Sequence, residues 1–390
     1  ADTQNFLIYG DVMAMFNQHF GDFSVNAALG GSINVQTENS LTLDSKTASL
    51  YKPNLFTVPN IVMNTSASAE QVIDRRRTIQ SVFATAQVGW KDALFLDLTA
   101  RNDWSSTLSH TNSVDKGFFY PSVGLSWVIN ESFKLPQWIS FGKIRGSWAQ
   151  VGNDLPIGIT DLSKFNRVTD FRFQVTSVDV YNRGDLKPEI SNSIEFGLEW
   201  RLFNSRVDFD FTYYKTDTKN QLLKVPTSAG EDYAYRYINA GKIRNKGFEI
   251  TLGATPVLTE DFRWKTTFNY SQNRNKVVEL APNYTSFVYG DPGFSMAYMM
   301  QIKEGGSLGD IYGNTFARDE QGKIKVSDEG KPISESGNKT YLGNCNPDFL
   351  LSWANTFTYK GFSLYFLIDM RKGGDVMSLT QATLDGRGVT

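Results

Sequence analysis

The chain of 390 residues has few of the side chains on which metal sites, disulfide frameworks and histidine-based catalysis depend. It contains one cysteine, Cys345, and two histidines, His19 and His110. One cysteine excludes an internal disulfide and a thiolate cluster. Two histidines provide few ligands for a zinc site and few candidates for the base of a catalytic triad. We therefore expect no cofactor and no metal.

Charge of one sign is also missing, and so are long apolar runs. Lys and Arg number 39 against 41 Asp and Glu, with the signs interspersed, so the sequence does not indicate nucleic-acid binding. No run approaches the roughly 18 apolar residues of a spanning helix. A spanning β-barrel escapes this criterion, because only alternate residues of each strand face lipid.

The two ends of the chain carry no recognisable start or finish. It begins Ala-Asp-Thr-Gln without a signal peptide, and its last residues form a polar, glycine-rich segment. We expect the chain to be a piece of something larger. Aromatic residues make up 14% of the chain, and glycine accounts for 32 residues, a composition rich in strand formers.

The stretch from Ser193 to Tyr214 shows the pattern that organises the chain. Apolar and polar residues alternate on both sides of Asn204-Ser205, which predicts a β-hairpin with a two-residue turn and Phe203 paired with Arg206. One face is then apolar, with Trp200 on Phe209 as one of its cross-strand pairs. The opposite face is polar, so one face suits hydrocarbon and the other suits water.

Similar hairpins recur along the chain. We predict turns at Gly21-Asp22, Lys91-Asp92-Ala93 and Lys360-Gly361, the last pairing Tyr359 with Phe362. About twelve strands result, and short connections alternate with long ones, the longest near 36–74, 152–188 and 279–348. Aromatic residues flank the short turns, as a membrane girdle requires. The alternative, a large soluble all-β protein, has shorter strands and no such asymmetry.

Two groups of polar side chains invite a functional interpretation. Glu199 opposite Asp210 resembles a glycosidase pair, but its position beside a tight turn favours a charged lattice in a water-filled lumen, balanced by Arg201. Segments 319–323 and 328–331 combine acidic residues with glycine. Neither fits the EF-hand spacing, so we predict glycine-centred turns of a small hairpin rather than calcium sites.

The candidate substrate-binding residues lie in or next to long connections. Asp103 and Trp104 lie where a strand leaves the membrane, although tryptophan at such a place is typical of a girdle. Tyr284, Tyr289 and Phe294 belong to an aromatic loop for which sugar stacking, a protein interface and local packing remain open.

Several motifs resemble the SusC/RagA family of TonB-dependent outer-membrane transporters of Bacteroidetes-type bacteria. The resemblance is strongest at Tyr237–Ile250 and extends, in the family's order, over most of the chain. The other matching segments are Arg101–Ser106, Phe119–Trp127, Lys143–Gly152, Leu186–Glu189, Gly309–Asn314, Leu342–Pro347 and Tyr359–Leu364.

The resemblance implies an all-β fold, a transmembrane antiparallel up-and-down β-barrel of 22 strands, of which residues 1–390 would form about half. The plug domain and the terminal strands would be absent from this chain. It further implies import of glycan fragments or peptides with a SusD-like surface lipoprotein, TonB as the energy-coupling partner, and a place in the outer membrane. A barrel enzyme or a surface adhesin on the same scaffold is the alternative.

Overall fold

A computed structural model places most of the chain in antiparallel β-structure. It describes residues 2–44, 49–55, 57–62, 68–113, 117–157, 159, 164–168, 172–176, 180–181, 185–226, 235–239, 241–281, 284–289 and 298–389. In this part of the chain, no helix is long and apolar enough to cross a membrane. The helices are α1 (Ile129–Ser132) and α2 (Leu379–Gly386), with 3₁₀ turns at Val58–Asn60 and Ser106–Leu108.

The strands vary from two residues to more than twenty. In chain order they are β1 (Asp2–Phe20), β2 (Phe23–Asp44), β3 (Ser68–Trp90), β4 (Leu94–Ser105), β5 (Phe118–Val128), β6 (Ile139–Asn153), β7 (Lys164–Val168), β8 (Arg172–Thr176), β9 (Val180–Tyr181), β10 (Glu189–Leu202), β11 (Val207–Lys219), β12 (Leu222–Pro226), β13 (Tyr235–Asn239), β14 (Lys242–Leu258), β15 (Phe262–Glu279), β16 (Ser286–Tyr289), β17 (Tyr298–Lys303), β18 (Asp310–Phe316), β19 (Ser334–Asn344), β20 (Pro347–Tyr359) and β21 (Phe362–Gly373).

Twelve of these strands form one antiparallel sheet in the order β1-β2-β3-β4-β5-β6-β10-β11-β14-β15-β20-β21. Each strand therefore pairs with the long strand that precedes it in the chain, which confirms the all-β, up-and-down fold. The remaining strands belong to three small sheets inserted in the long connections: β12-β13-β9, β16-β17-β18-β19 and β7-β8.

The predicted hairpin registers are confirmed. Phe20 pairs with Phe23, Trp90 with Leu94, and Tyr359 with Phe362. In the hairpin of β10 and β11, Trp200 lies opposite Phe209, as the alternation predicted. Local alternation sets these registers because a shift of one residue would turn every apolar side chain to the opposite face.

The turn between β10 and β11 differs from the prediction. The strands end at the pair Leu202 and Val207, so the turn holds four residues instead of two, and Phe203 does not pair with Arg206. Phe203, Asn204 and Ser205 all have φ between 55° and 59°, and the Arg206 amide donates to the Leu202 carbonyl at 3.0 Å. The register survives because both turns place Leu202 opposite Val207.

Strand pairing also extends into segments that the pattern assigned to loops. β2 continues to Asp44 and β3 begins at Ser68, well beyond the apolar alternation. These outer ends carry polar residues, yet their backbone groups satisfy one another across the ladder. The connection 279–348 contains the four-stranded sheet β16–β19, and Gly322 and Gly330 form the predicted glycine-centred turns there.

The two faces of the large sheet differ in character. The outer face carries the apolar residues of the alternation, many of them highly exposed: Val12 is 81% and Phe362 80% exposed. The opposite face, here called the lumen face, carries the polar residues. Buried apolar clusters lie at the long-loop end, as in the group of Leu108, Phe118, Leu155 and Leu186. In the described part of the chain the apolar face of the large sheet is therefore exposed, and the loops have cores of their own.

Candidate functional site

Side chains on the lumen face form ion pairs that cross several strands. Arg145 on β6 donates from Nη1 and Nη2 to the two carboxylate oxygens of Asp210 on β11, both at 3.1 Å. Nη2 also donates to Thr212 Oγ1 at 2.7 Å. β10 lies between these strands, so the guanidinium of Arg145 reaches past one strand to its partner. This pair links three strands on the water-facing side.

Gly197 on β10 makes this crossing possible. It lies opposite Arg145 on one side and Thr212 on the other. A Cβ atom at this position would lie 2.6 Å from Cζ of Arg145, so any side chain here would displace the guanidinium. Glycine in a strand often marks such a close approach.

The arrangement around Glu199 is that of a charged lattice. Glu199 and Asp210 lie opposite each other as predicted, but each has its own cation. Arg201 Nη2 donates to Glu199 Oε1 at 2.8 Å, and Arg145 binds Asp210. The cation that neutralises Asp210 therefore comes from β6 and not from the hairpin itself. Because each carboxylate is paired with its own arginine, the arrangement fits a charged lining of the sheet and not a catalytic acid and base pair.

Asp103, a predicted substrate contact, lies on the lumen face near the long-loop end of β4. It is 7% exposed, and its carboxylate accepts hydrogen bonds from Arg101 Nε at 2.7 Å and from the Tyr120 hydroxyl. Arg101 also donates from Nη2 to Ser81 Oγ at 2.6 Å. The carboxylate is thus the centre of a network that fixes Arg101.

Trp104, the neighbouring candidate, projects from the other side of β4. Residues along a strand alternate between faces, which places Trp104 on the outer face with Leu96 and Leu98. Its side chain is 41% exposed. This position matches the girdle interpretation, and the two neighbouring candidates therefore face different environments.

A third network was not predicted from the sequence. Asp154, just beyond β6, binds Arg77 of β3 through both carboxylate oxygens and accepts hydrogen bonds from the Ser105 and Thr107 hydroxyls. The carboxylate is buried. Its partners are 77, 49 and 47 residues away in sequence, so no local pattern reveals the site.

Tyr284 and Tyr289, two of the aromatic candidates, lie in the long connection that follows β15. The Tyr284 hydroxyl accepts a hydrogen bond from Arg236 Nη2 at 3.0 Å, and its ring packs edge-on against Phe287, with centroids 6.4 Å apart. Tyr289 ends β16, where its backbone pairs with Met300. Phe294 lies outside the described residues. For Tyr284, the contacts favour the local-packing interpretation among the three left open.

Two tyrosines of the four-stranded loop sheet have shifted acidity. Burial raises the pKa of the Tyr312 and Tyr341 hydroxyls, and the nearby carboxylate of Asp310 raises both further. The rings meet edge-on with centroids 5.7 Å apart. Both hydroxyls therefore remain neutral hydrogen-bond donors. Across the described part of the chain, no group of three or more His, Cys, Asp or Glu side chains is arranged to hold a metal ion.

The chain is similar in sequence to proteins named TonB-dependent receptors. The chain is 27% identical over 325 residues to TonB-dependent receptor P3 of Formosa agariphila, covering 77% of this chain and 32% of that protein. It is 25% identical over 312 residues to TonB-dependent receptor SusC of Bacteroides thetaiotaomicron, covering 75% and 31%. The chain thus spans about a third of the length of the curated relatives it matches.

Solved structures share the fold. The RagAB peptide transporter superimposes with a TM-score of 0.73 at 19% identity, covering 94% of this chain and 42% of that one. The outer-membrane transporter YddB of Escherichia coli gives a TM-score of 0.56 at 12% identity, covering 97% and 44%. The family model described as TonB dependent receptor-like, beta-barrel matches residues 2–366. The chain therefore belongs to the TonB-dependent receptor family, as part of its β-barrel.

Proposed function

We propose that the protein containing this chain imports an oligomeric nutrient, a glycan fragment or a peptide, across the outer membrane by a TonB-dependent route. The two-faced sheet is the observation that carries this proposal. Its outer face is apolar and exposed, whereas its lumen face carries the ion pairs of Arg145 and Arg101. A wall that presents hydrocarbon to lipid and paired charges to water suits the passage of a polar solute.

A surface lipoprotein of the SusD type is the proposed partner at the long-loop end. The similarity to SusC and to the RagAB peptide transporter supports it. TonB is the proposed energy-coupling partner, supported by the names of the relatives. Co-purification of the intact protein from solubilised outer membranes tests the lipoprotein partner. The expected result is a stoichiometric lipoprotein; a receptor that elutes alone under mild detergent contradicts it.

Growth and uptake test the transport proposal directly. Deletion of the gene is expected to abolish growth on one substrate in a panel of oligosaccharides and peptides, and a TonB-deficient strain should show the same loss. Complementation with the intact gene restores growth. Cells that grow on every substrate after deletion refute import. Cells that bind a labelled substrate without accumulating it identify an adhesin instead.

Among the five predicted ligand contacts, Asp103 lies on the lumen face at the long-loop end, and its buried carboxylate supports a role in holding Arg101 toward a ligand. For Trp104, Tyr284, Tyr289 and Phe294 the role stays a prediction. We expect Asp103→Asn to raise the substrate concentration needed for half-maximal uptake, because it weakens the hold on Arg101. Asp97→Asn, a lumen-face change nearer the short turns, is the matched control. Equal uptake by both variants contradicts the assignment.

A further inference from the structure

Five cations gather on the outer face of the sheet at its long-loop side. Lys215 on β11 lies opposite Lys246 on β14, and Lys246 lies opposite Arg274 on β15. Two residues further toward the loops, Arg244 lies opposite Lys276. These five residues form the basic patch. The cations are scattered in sequence, and only the pairing of three strands brings them together.

The basic patch is not neutralised by the protein itself. Asp217 accepts a hydrogen bond from Arg244 at 2.6 Å, and Asp348 pairs with Arg274 at 3.2 Å. Within the described ranges, Lys215, Lys246 and Lys276 make no ion pair. The five cations therefore outnumber these two carboxylates, and Asp217 is also shared with Lys242 at 3.3 Å. Like charges directly opposite destabilise a sheet, so this arrangement favours an external anion.

Aromatic side chains border the patch on the side of the short turns. Phe248 stacks on Tyr270 with centroids 5.5 Å apart, and Tyr270 stacks on Phe349 at 5.3 Å. Tyr213 lies opposite Phe248. Tyrosine in such a row marks the headgroup level of a membrane. A step of two residues along a tilted strand rises only about 5 Å, so the patch lies where lipid phosphates lie.

The positive charge of the patch does not continue onto β10 or β6. In register with Lys215, β10 carries Ile194 and β6 carries Trp148. The next outer-face positions toward the loops are Asn192 and Gln150. The patch therefore has a boundary on the side of β10, as a localised ligand site requires and a general attraction to anionic headgroups does not.

A cavity of about 520 Å³ opens beside the patch. The loop that forms one side of it is held against β15, since the Val277 amide donates to the Gly306 carbonyl at 2.8 Å and the Gly305 amide donates to the Val277 carbonyl at 2.9 Å. The volume of the cavity is in the range of small-ligand sites. It is lined by Arg244, Lys246, Arg274 and Lys276 together with Asn275, Gly305, Gly306, Ser307, Asp310 and Tyr341.

We propose that the basic patch binds the phosphate groups of a glycolipid headgroup in the outer leaflet of the membrane. Arginine and lysine recognise phosphate through charge-assisted hydrogen bonds, and the neighbouring aromatic row packs against the lipid to which the phosphate is attached. The lipid is favoured over free phosphate because the patch adjoins the apolar outer face. The inference rests on the proposed outer-membrane location and does not depend on transport.

Native mass spectrometry of the intact, delipidated protein tests the proposal. The probes are lipid A with two phosphates, dephosphorylated lipid A, and inorganic phosphate. The variant K215Q/K246Q/K276Q removes the three unpaired cations. Each cation near a phosphate-bearing surface contributes roughly fivefold in affinity, so the variant should bind the bisphosphorylated lipid about 100-fold more weakly. The wild-type protein should bind dephosphorylated lipid A weakly.

The matched control is K323Q/K325Q/K331Q, which removes the same charge from exposed positions of the loop hairpin. It should bind the lipid within about threefold of wild type. Heat-modifiable mobility in electrophoresis shows that each barrel is folded. If the patch variant is unfolded, K246Q alone replaces it and should bind the lipid more weakly than wild type does. Binding by the wild-type protein is then also measured at increasing salt concentration, where it should weaken. Equal binding by folded patch and control variants overturns the proposal, as does inorganic phosphate that binds as tightly as the lipid. Substrate uptake by the same strains reports separately on transport.

Discussion

Replacing Leu252 with arginine tests which face of the sheet meets lipid. Leu252 lies on β14 between Phe209 and Phe268 and is 42% exposed. The apolar outer-face residues of this strand run from Phe248 to Val257, nine residue steps. At roughly 3.3 Å per residue and a tilt of about 40°, they span about 23 Å, close to the height of a barrel's apolar band. Leu252 lies near the middle of that band.

An arginine at mid-membrane is expected to destabilise the barrel by about 2 to 4 kcal/mol. That cost corresponds to a roughly 30- to 700-fold shift in the folding equilibrium. The measurement is a urea titration of the intact protein folded into phosphatidylcholine vesicles. The control is Thr251→Arg, which adds the same charge at the neighbouring lumen-face position and should cost less than about 1 kcal/mol. If both variants unfold at the same urea concentration, the assignment of faces is wrong.

Three further changes test the lumen networks and the aromatic packing. Gly197→Ala should displace Arg145 from Asp210 and lower the free energy of unfolding by about 1 kcal/mol in a urea titration, a small value because this pair is more than a third exposed. Gly146→Ala, whose Cβ would lie 3.9 Å from the nearest atom, should lower it by less, and the reverse order would contradict the passage of Arg145 across Gly197. Asp154→Ala should lower the free energy of unfolding by about 2 to 3 kcal/mol, because its buried hydrogen-bond partners lose their acceptor. Asp11→Ala on the exposed β1 should leave it nearly unchanged, and equal urea midpoints for the two variants would argue against the network. A double-mutant cycle to alanine on Phe268 and Trp353, which stack at 5.5 Å, should give a coupling energy of about 0.5 to 1.5 kcal/mol, and a cycle pairing Phe268 with the distant Trp127 should give none.

The charged lattice shows where sequence reasoning reaches its limit. The pairing of Glu199 with Asp210 follows from alternation within one hairpin and is confirmed. The partner of Asp210 is Arg145, 65 residues earlier, and it reaches the carboxylate across Gly197. Alternation specifies the face of each residue but not which distant strand lies beside it. The glycine was the one local signal of a close approach.

The same limit applies to the loops and to charge. The sequence shows no basic run, yet pairing of β11, β14 and β15 brings Lys215, Lys246 and Arg274 into one row. The connection 279–348 carries no strict alternation, and its four-stranded sheet packs around a core that includes Val277 and Ile302. Such a core depends on contacts between segments and leaves little periodicity in any one of them.

The sequence by itself determined the two faces of the sheet and the registers of the hairpins that have short turns. Period-two alternation is a local property, and a short turn forces neighbouring segments to pair. Only the tertiary structure decided the four-residue turn after Leu202, the networks around Asp154 and Arg145, and the basic patch. These features depend on backbone conformation at the turn and on which strands lie side by side, and neither is encoded in the spacing of apolar residues.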